Sequence, residues 1–336
     1  MEETMEEELL GGSVPAPCPH FGRCGGCQYQ HIDYGKQLLL KRQYIERLFS
    51  GHLLPGCFPR PVIPSPKIYG YRTKITPHYG RIRCGEEPIG FRESSGNCLV
   101  DISYCPIATD GINAKLPDLR RRIRETPTKR GGTALLRQGG DVITDNPRDL
   151  LCEEVSGKQL HFIAGEFFQN NASILDSFAT YVSRMIADDC CDFLVDAYCG
   201  VGFFSILAAD YFEKVVGIEV CQQTVSMGKL NASTNEIKNV EFLIGSAEAI
   251  FAAIAFAPQR TTVLLDPPRS GAGVKFIEQL LRFSPRRIVY VACGPTSQAN
   301  EIFQFLPHYT LQEIQPIDLF PQTKHIENVV TLLRRE

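Results

Sequence analysis

The sequence predicts an α/β protein whose carboxyl-terminal half is a doubly wound parallel sheet, preceded by a smaller region of mixed α and β structure. Three observations predict this arrangement. From about residue 160 onward, apolar strand-like runs alternate with helical stretches and end in two β-type runs. Between about 60 and 155, the β-type runs are short and interrupted by Gly, Pro and Asn. Three cysteines between residues 18 and 27 precede both regions.

The chain divides into three predicted parts. Residues 1–17 form an acidic tail that we expect to be disordered, because its first eight residues contain five glutamates and no base. Residues 18–155 contain the cysteines, a helical stretch at 34–49 and the short strands. Residues 156–336 form the domain with the parallel sheet, which we expect to carry the principal site.

The composition indicates a soluble intracellular protein. No apolar run reaches the roughly 18 residues of a membrane span, and the acidic start differs from a signal peptide. Thirteen cysteines spread over 336 residues favour metal binding or catalysis over disulfides. The formal charge is −3, but residues 9–336 carry +2, because five of the 38 acidic residues lie in the first eight positions. A membrane partner is therefore excluded by this pattern, whereas a polyanionic partner is not.

Two basic runs are candidates for phosphate contacts. RTKITPHYGRIR at 72–83 places Arg72, Lys74 and Arg81 near aromatic residues that can support stacking. RRRIRETPTKR at 120–130 contributes Arg120, Arg121, Arg122 and Arg124. A solvated charged face is the alternative for either run. We expect the first run to contact the substrate.

A glycine loop follows the first strand of the predicted parallel sheet. DAYCGVGFF at 196–204 follows an apolar run and opens a helix, so its glycines let the backbone approach a cofactor. Glu219 ends the next strand and can accept hydrogen bonds from ribose hydroxyls. The third glycine of a dinucleotide site is replaced by Ser205. This replacement disfavours NAD and favours S-adenosyl-L-methionine (SAM), which has no pyrophosphate.

Candidate reacting groups follow the later strands. Asp266 begins DPPRSG, which is similar to the (D/N)PP(Y/F) loop of amino-group methyltransferases, with Arg269 in place of the aromatic residue. Cys293 ends the next apolar run, where it would face whatever binds at the carboxyl ends of the strands. A buried, inert thiol is the alternative. Glu327 is a candidate base on an apolar strand, and an outward-facing strand residue is its alternative.

The first cysteines have the spacing C-x5-C-x2-C, which suits a metal site. The four candidate ligands are Cys18, Cys24, Cys27 and, from a later segment, Cys105. Alternative fourth ligands are Cys57, Cys84 and Cys98. Four thiolates bind either an iron–sulfur cluster or zinc, and the spacing alone does not separate the two.

Taken together, these motifs resemble the SAM-dependent RNA uracil-C5 methyltransferase family. GEFFQNN (165–171), DAYCGVGFF, DPPRSG, VYVACGP and FPQTKHIENVV occur in that family's order, and the resemblance covers nearly the whole chain. YGYRTKITPHYG and LVDISYCPIAT are most similar to the fungal branch, which methylates the T-loop uridine at position 54 of tRNA. The resemblance implies a Rossmann-like class I SAM methyltransferase domain and a tRNA substrate, with rRNA as the alternative.

The resemblance also implies a role for each candidate residue. Cys293 would add as a thiolate to carbon 6 of uracil, which makes carbon 5 nucleophilic. Glu327 would remove the proton from carbon 5 after methyl transfer. Gln169 would contact SAM and the uracil edge. Further SAM contacts would come from Tyr198, Gly200, Glu219 and Asp266, and the cysteine ligands would hold a [4Fe–4S] cluster, with zinc as the alternative.

Three features differ from the family pattern. Gly294 follows the nucleophile where many members have Asn, Phe203 replaces an Asn of the bacterial glycine loop, and no separate RNA-binding barrel precedes Cys18. We therefore expect the region 18–155 to bind RNA, in a monomeric protein of the cytoplasm or nucleus. An RNA-folding factor that turns uridines out without methylating them is the alternative from another functional class.

Overall fold

The computed structural model describes residues 13–50, 58–80, 87–126, 130–245 and 250–335. Within these ranges the helices are α1 (Tyr34–Phe49), α2 (Asp110–Glu125), α3 (Leu175–Ile186), α4 (Phe203–Leu207), α5 (Gln222–Thr234), α6 (Val274–Phe283) and α7 (Pro295–Phe305). The first strands are β1 (Lys74–Ile75), β2 (His78–Tyr79), β3 (Ile89–Arg92), β4 (Leu99–Asp101), β5 (Gly132–Thr133), β6 (Leu136–Gly139), β7 (Val142–Thr144), β8 (Leu150–Val155) and β9 (Lys158–Ile163). The later strands are β10 (Phe193–Ala197), β11 (Lys214–Glu219), β12 (Val240–Ile244), β13 (Thr261–Leu265), β14 (Arg287–Ala292), β15 (Tyr309–Ile317) and β16 (Glu327–Arg334).

A seven-stranded sheet forms the centre of the carboxyl-terminal half. Its order is β12-β11-β10-β13-β14-β16-β15, and all its pairs are parallel except those that involve β16. The chain runs outward from β10 to β12 and then starts again at β13 on the other side of β10. In such sheets ligands bind at the carboxyl ends of the strands where the order reverses. The site is therefore expected beyond β10 and β13.

The central strands are buried because helices cover both faces of the sheet. All five residues of β13 are buried, as are the last five of β14. Phe178 and Val182 of α3 pack on one face, whereas Phe276 of α6 and Ile302 of α7 pack on the other. A strand covered on both faces reads as a continuous apolar run, which is the pattern seen in the sequence.

The amino-terminal half contains smaller antiparallel sheets. Within the described residues, β1-β6-β7 form one sheet, β4-β3-β2-β5 a second, and β8-β9 a hairpin. Helix α2 covers this region and shares a separate core with Val100 and Leu136. Helix α1 instead packs against α7 and β15, and its Ile45 and Phe49 belong to the core of the large sheet. Packing thus joins part of the first half to the second.

The predicted division into three parts stays a prediction. Two of its borders, however, separate segments that are hydrogen-bonded to each other in the structure. The border at 155/156 falls between β8 and β9, which pair from Leu150↔Ile163 to Val155↔Lys158. Val14, inside the tail predicted to be disordered, donates its main-chain N–H to His31 O at 2.9 Å. The first 12 residues lie outside the described ranges. Among the described residues, no helix is both long and apolar enough to cross a membrane.

Candidate active site

The glycine loop connects β10 to α4 at the reversal of the strand order. Gly202 has φ 81°, and a Cβ there would lie 2.5 Å from Phe242. Both the backbone conformation and the lack of space therefore require glycine. Gly200 also has positive φ, at 55°. Tyr198 adopts φ 64°, which is unusual for a residue with a side chain, and its hydroxyl donates to Ala272 O at 3.1 Å. This bond ties the glycine loop to the loop after β13.

Two carboxylates lie beside the glycine loop. Asp196 is buried in β10 and accepts a hydrogen bond from the Ser205 hydroxyl at 2.5 Å. The pKa of Asp196 is raised to about 7, because burial and, to a smaller extent, Glu219 outweigh the hydrogen bonds from Ser205 that lower it. Ser205, which stands where a dinucleotide site would have its third glycine, thus orients the carboxyl group of Asp196. Glu219 ends β11, where its Oε1 accepts from Cys221 N at 3.0 Å and its side chain stays partly exposed.

Cys293 and Glu327 lie side by side at the ends of adjacent strands. β14 and β16 are antiparallel with Ala292 opposite Asn328, so one further step brings Cys293 opposite Glu327. Glu327 is only 4% exposed, whereas Cys293 is partly exposed. Asp266 follows β13, the other neighbour of β14. Three paired strands therefore bring the predicted nucleophile, the predicted base and a second carboxyl group together.

The surroundings of this cluster oppose ionisation. Burial raises the pKa of Cys293 to about 12, aided by Glu327 and Asp266, whereas Arg269 lowers it. Burial and then Asp266 raise the pKa of Glu327 well above its usual range, and Arg269 again opposes the shift. Burial and then Asp196 raise the pKa of Asp266 to about 7. Because neighbouring buried carboxyl groups do not both ionise readily, the protein alone keeps the thiol and one carboxyl protonated at neutral pH.

Arg269 and His325 belong to this cluster, although no role for either is predicted from the sequence. Arg269 Nη2 lies 3.3 Å from His325 Nδ1. Burial, followed by Arg269, lowers the pKa of His325 to about 4, so its ring is neutral and can accept this hydrogen bond. A Cβ on Gly294 would come within 2.6 Å of Arg269 O, which explains the glycine after the nucleophile. The sequence feature that could have indicated a role for Arg269 is its place in DPPR, where related loops have an aromatic residue.

The segment that contains Gln169 is linked to the same site through its neighbours. Asn171 Nδ2 donates to Ser65 Oγ at 3.0 Å and to Leu319 O at 3.1 Å. Leu319 lies in the connection from β15 to Glu327. Gln169 itself is partly buried, and its main-chain oxygen accepts from Arg137 at 3.0 Å. The segment is therefore held near the reacting cluster, but no described contact joins the Gln169 side chain to it.

The four predicted metal ligands are neighbours. The pKa of Cys27 is raised to about 12, chiefly by burial and in smaller part by Cys105, Cys24 and Cys18, against a hydrogen bond with Gln30 that lowers it. Burial also raises the pKa of Cys105, to which Cys18 contributes. Cys98, in contrast, is exposed between β3 and β4. Of the alternative fourth ligands, Cys57 and Cys84 lie outside the described residues.

These four thiols are the donor type that a four-thiolate metal site needs, but they are not arranged around a common metal position. Among the residues that the structure describes, no group of three or more His, Cys, Asp or Glu is arranged to hold a metal ion. The raised pKa values of Cys24, Cys27 and Cys105 favour neutral thiols in the protein alone. A metal would have to replace their protons and draw the side chains together. The donors fit a cluster, and their arrangement would have to close around it.

A cavity of about 740 Å³ connects the cysteine cluster with the reacting cluster. Its wall includes all four thiols together with Cys293, Arg269 and His325. It is also lined by the basic and aromatic side chains of Arg72, Lys324, Phe21, Phe91 and Tyr104. Aromatic faces beside cationic groups suit the bases and phosphates of a nucleic acid. A base turned out of its stack needs a pocket of this kind.

The second basic run is buried at Arg120 but exposed at Arg121, Arg122 and Arg130. Arg120 is only 7% exposed, and its Nη1 donates to Ile89 O and Ile102 O, both at 2.7 Å. Its Nη2 donates to Asp101 at 2.7 Å. Arg120 is therefore not a candidate for phosphate contact, because its guanidinium is buried. Three further arginines of the run form the ion pairs Arg121–Asp118, Arg122–Asp145 and Arg124–Asp101.

The first basic run also differs from the prediction. Lys74 Nζ donates to Gly165 O at 3.0 Å and to Glu166 O at 3.1 Å, so its amine is occupied within the protein. Arg72 Nε donates to Lys74 O at 2.9 Å, yet Arg72 lines the cavity. Arg81 lies outside the described residues. Arg72 is thus the remaining candidate for a substrate phosphate.

Comparison with known proteins identifies the family. The tRNA (Uracil-5-)-methyltransferase family model matches residues 144–335, more than half of the chain. The chain belongs to this family. The tRNA (uracil(54)-C(5))-methyltransferase of Schizosaccharomyces pombe is 38% identical over 346 residues, covering 94% of this chain and 65% of the relative. That of Saccharomyces cerevisiae is 32% identical over 396 residues, covering 94% and 62%. This member of the family thus spans less than two thirds of these relatives.

A solved structure confirms the fold expected for the family. The crystal structure of Pyrococcus abyssi tRNA (uracil-54, C5)-methyltransferase in complex with S-adenosyl-L-homocysteine has a TM-score of 0.74 and 24% identity to this chain. The match covers 92% of this chain and 86% of the archaeal one. The prediction of an α/β class I SAM methyltransferase fold is confirmed. The site residues and the metal cluster stay predictions.

Proposed function

We propose that the chain methylates carbon 5 of uridine in RNA with SAM as the methyl donor, and that its substrate is the T-loop uridine 54 of tRNA. The convergence of Cys293 with Glu327 at the reversal of the strand order carries this proposal. The tRNA (uracil(54)-C(5))-methyltransferase names of the two yeast relatives support the substrate. The aromatic and cationic cavity wall supports an RNA ligand.

SAM would bind along the glycine loop. The main chain at Tyr198 and Gly200 would approach the cofactor, Glu219 would accept hydrogen bonds from its ribose, and Asp266 would face its charged groups. Gln169 would contact both the cofactor and the uracil edge. When bound, SAM supplies an electrophilic methyl group and a positive sulfonium charge. Positive charge beside the acidic cluster favours its ionised forms, as Arg269 does already.

Cys293 and Glu327 would act in sequence. The Cys293 thiolate forms a bond to carbon 6 of uracil, and the electrons of the 5,6 double bond move toward the carbonyl oxygen at carbon 4. Carbon 5 of this enolate would then bond to the methyl group as the bond between that group and the sulfonium sulfur breaks, which leaves S-adenosyl-L-homocysteine. Glu327, as a carboxylate, removes the proton left on carbon 5. The electrons of that C–H bond restore the double bond and expel Cys293 as a thiolate.

Cys18, Cys24, Cys27 and Cys105 would hold a [4Fe–4S] cluster, with zinc as the alternative. The support is the shared wall of one cavity and the thiol-only donor set. A bound cluster would link residues 18–27 to the loop between β4 and α2. Its contribution would be to shape the RNA side of the cavity, because binding a metal couples directly to folding.

Incubation with labelled SAM and separate pools of unmodified tRNA and rRNA, followed by nucleoside mapping, tests the function. We expect 5-methyluridine at position 54 of tRNA. Label in rRNA alone would favour the rRNA alternative. Absence of label from both pools, with RNA-folding activity retained by Cys293→Ala, would favour the folding factor. Monomeric state and location in cytoplasm or nucleus stay predictions, which light scattering and microscopy would check.

A further inference from the structure

Arg137 in β6 is a fully buried cation with an unusual set of partners. It is 0% exposed. Within the described part of the chain it forms no salt bridge, and Glu153 is the carboxyl group whose charge favours its ionised form. Nη1 donates to Asn170 Oδ1 at 2.6 Å, and Nη2 donates to Gln169 O at 3.0 Å. The guanidinium also lies 4.9 Å from the ring centre of Phe162 and 5.9 Å from that of Phe168. Burying a charge is costly, and here hydrogen bonds and two aromatic rings, rather than a salt bridge, offset that cost.

Lys74 lies directly opposite Arg137 and holds the other end of the same segment. β1 pairs with β6 so that Lys74 faces Arg137 across the ladder. Like charges in opposite positions destabilise a strand pair. Lys74 Nζ nevertheless donates to Gly165 O and Glu166 O, at 3.0 and 3.1 Å. Two neighbouring cations thus bind both ends of the stretch 165–170.

This stretch has no helix or strand of its own between β9 and Asn171. Phe167 at its centre is 71% exposed, so packing does not fix the whole stretch. Main-chain oxygens that a strand would pair with a neighbour are paired here with cationic side chains, and Thr73 N adds a bond to Asn170 O at 2.8 Å. Charge-assisted hydrogen bonds are stronger than neutral ones and suit this task.

We infer that Lys74 and Arg137 are positioning residues, which fix the stretch 165–170 and thereby place Gln169 against the cofactor and the uracil. This role rests on the proposed function, because it acts through Gln169. It also gives the basic run at 72–83 a task other than phosphate binding. The planar guanidinium matters because it reaches a side-chain oxygen and a main-chain oxygen at once, which an ammonium at the same depth cannot reproduce.

Arg137→Lys tests this role, with Arg120→Lys as its matched control. Both arginines are buried in the amino-terminal half and donate to main-chain oxygens, but Arg120 contacts only Ile89, Ile102 and Asp101. We expect Arg137→Lys to lower kcat/KM for RNA methylation by about 10- to 100-fold at a temperature well below its Tm. Arg120→Lys should lower Tm and leave kcat/KM within about twofold of wild type, as expected for a site remote from catalysis.

A double-mutant cycle with Gln169→Ala separates positioning from general stability. If Arg137 acts through Gln169, Arg137→Lys should lower kcat/KM by less than about threefold further in the Gln169→Ala background. If the loss of kcat/KM in the double variant equals the product of the losses in the two single variants, the inference is overturned. Should Arg137→Lys fail to fold, Lys74→Met tests the same role. A kcat/KM equal to that of the wild type in Lys74→Met would overturn the inference. Failure of the proposed function itself would appear as absence of methylation by the wild type.

Discussion

The two sides of the central cavity are built in different ways. Cys293 and Glu327 extend from strands that are hydrogen-bonded to each other, with Ala292 opposite Asn328, so the backbone ladder sets their separation. The cysteine cluster comes from turns at 18–27 and a loop at 105, held by main-chain bonds such as Gln28 N to Gln322 O at 3.0 Å. The backbone ladder thus sets the positions of Cys293 and Glu327, whereas turns and a loop set the positions of the four thiols.

The largest effect is expected on the strand side, from Cys293→Ala. Loss of the nucleophile should reduce methyl transfer by more than about 10³-fold, because carbon 5 is not activated without addition to carbon 6. RNA with 5-fluorouridine should form a denaturation-resistant adduct with wild type but not with the variant, as a gel would show. Cys190 is an exposed thiol that precedes β10, and Cys190→Ala should keep the adduct. An adduct with Cys293→Ala would remove Cys293 from the mechanism.

Glu327→Gln should stop turnover at a later step. Addition and methyl transfer stay possible without the base, so a methylated covalent intermediate should accumulate on ordinary RNA, detectable by mass spectrometry. Full turnover would contradict the assigned role. Stability offers an independent check, because the folded-state pKa of Glu327 is raised. The wild type loses stability as pH rises through that pKa, so the Tm advantage of Glu327→Gln should grow with pH and vanish below about pH 4.

On the cysteine side, Cys27→Ser should leave the reacting groups in place and weaken RNA binding by about tenfold, as expected if the cluster shapes the cavity wall. Affinity for SAM, measured by calorimetry, should be unchanged. Anaerobically prepared wild type should be brown, with iron and sulfide in equal amounts, and Cys27→Ser should lose both. Cys98→Ser, which removes an exposed thiol of the same half, is the control. Stoichiometric zinc without iron would favour the zinc alternative.

The smallest effect is expected from Arg269→Gln, which should shift the pH profile. Arg269 lowers the pKa of both Cys293 and Glu327, so its removal should move the rising limb of kcat/KM to higher pH by up to about one unit. Lys324→Gln removes the same charge from the cavity wall but should not shift the limb. Equal profiles for Arg269→Gln and wild type would show that this arginine does not control ionisation.

The sequence predicted the strand side of the cavity well for a physical reason. Parallel strands end at one edge, so groups such as Asp266 and Cys293 that follow consecutive strands must meet there. The position of β16 next to β14 could not be predicted, because periodicity shows that a strand exists but not which strand it pairs with. Glu327 was therefore recognised as a candidate base from the motif rather than from any predicted contact.

The roles of the basic residues were harder to predict because charge does not reveal which face of an element is buried. In α2, Ile112 and Leu116 are buried, and Arg120 continues the same row at spacings of four. This row is visible in the sequence, but a charged residue at its end predicts exposure rather than burial. Lys74 lies in a strand of two residues, which is too short for any alternation to show where its side chain points.

The position of β16 inside the sheet has a consequence for synthesis of the chain. β16 follows β15 in the sequence but lies between β14 and β15. Before Glu327 leaves the ribosome, the six residues of β14, RIVYVA, form an unpaired apolar edge. Such an edge is a template for pairing with other chains. Truncation before Glu327 should therefore yield aggregates rather than soluble protein.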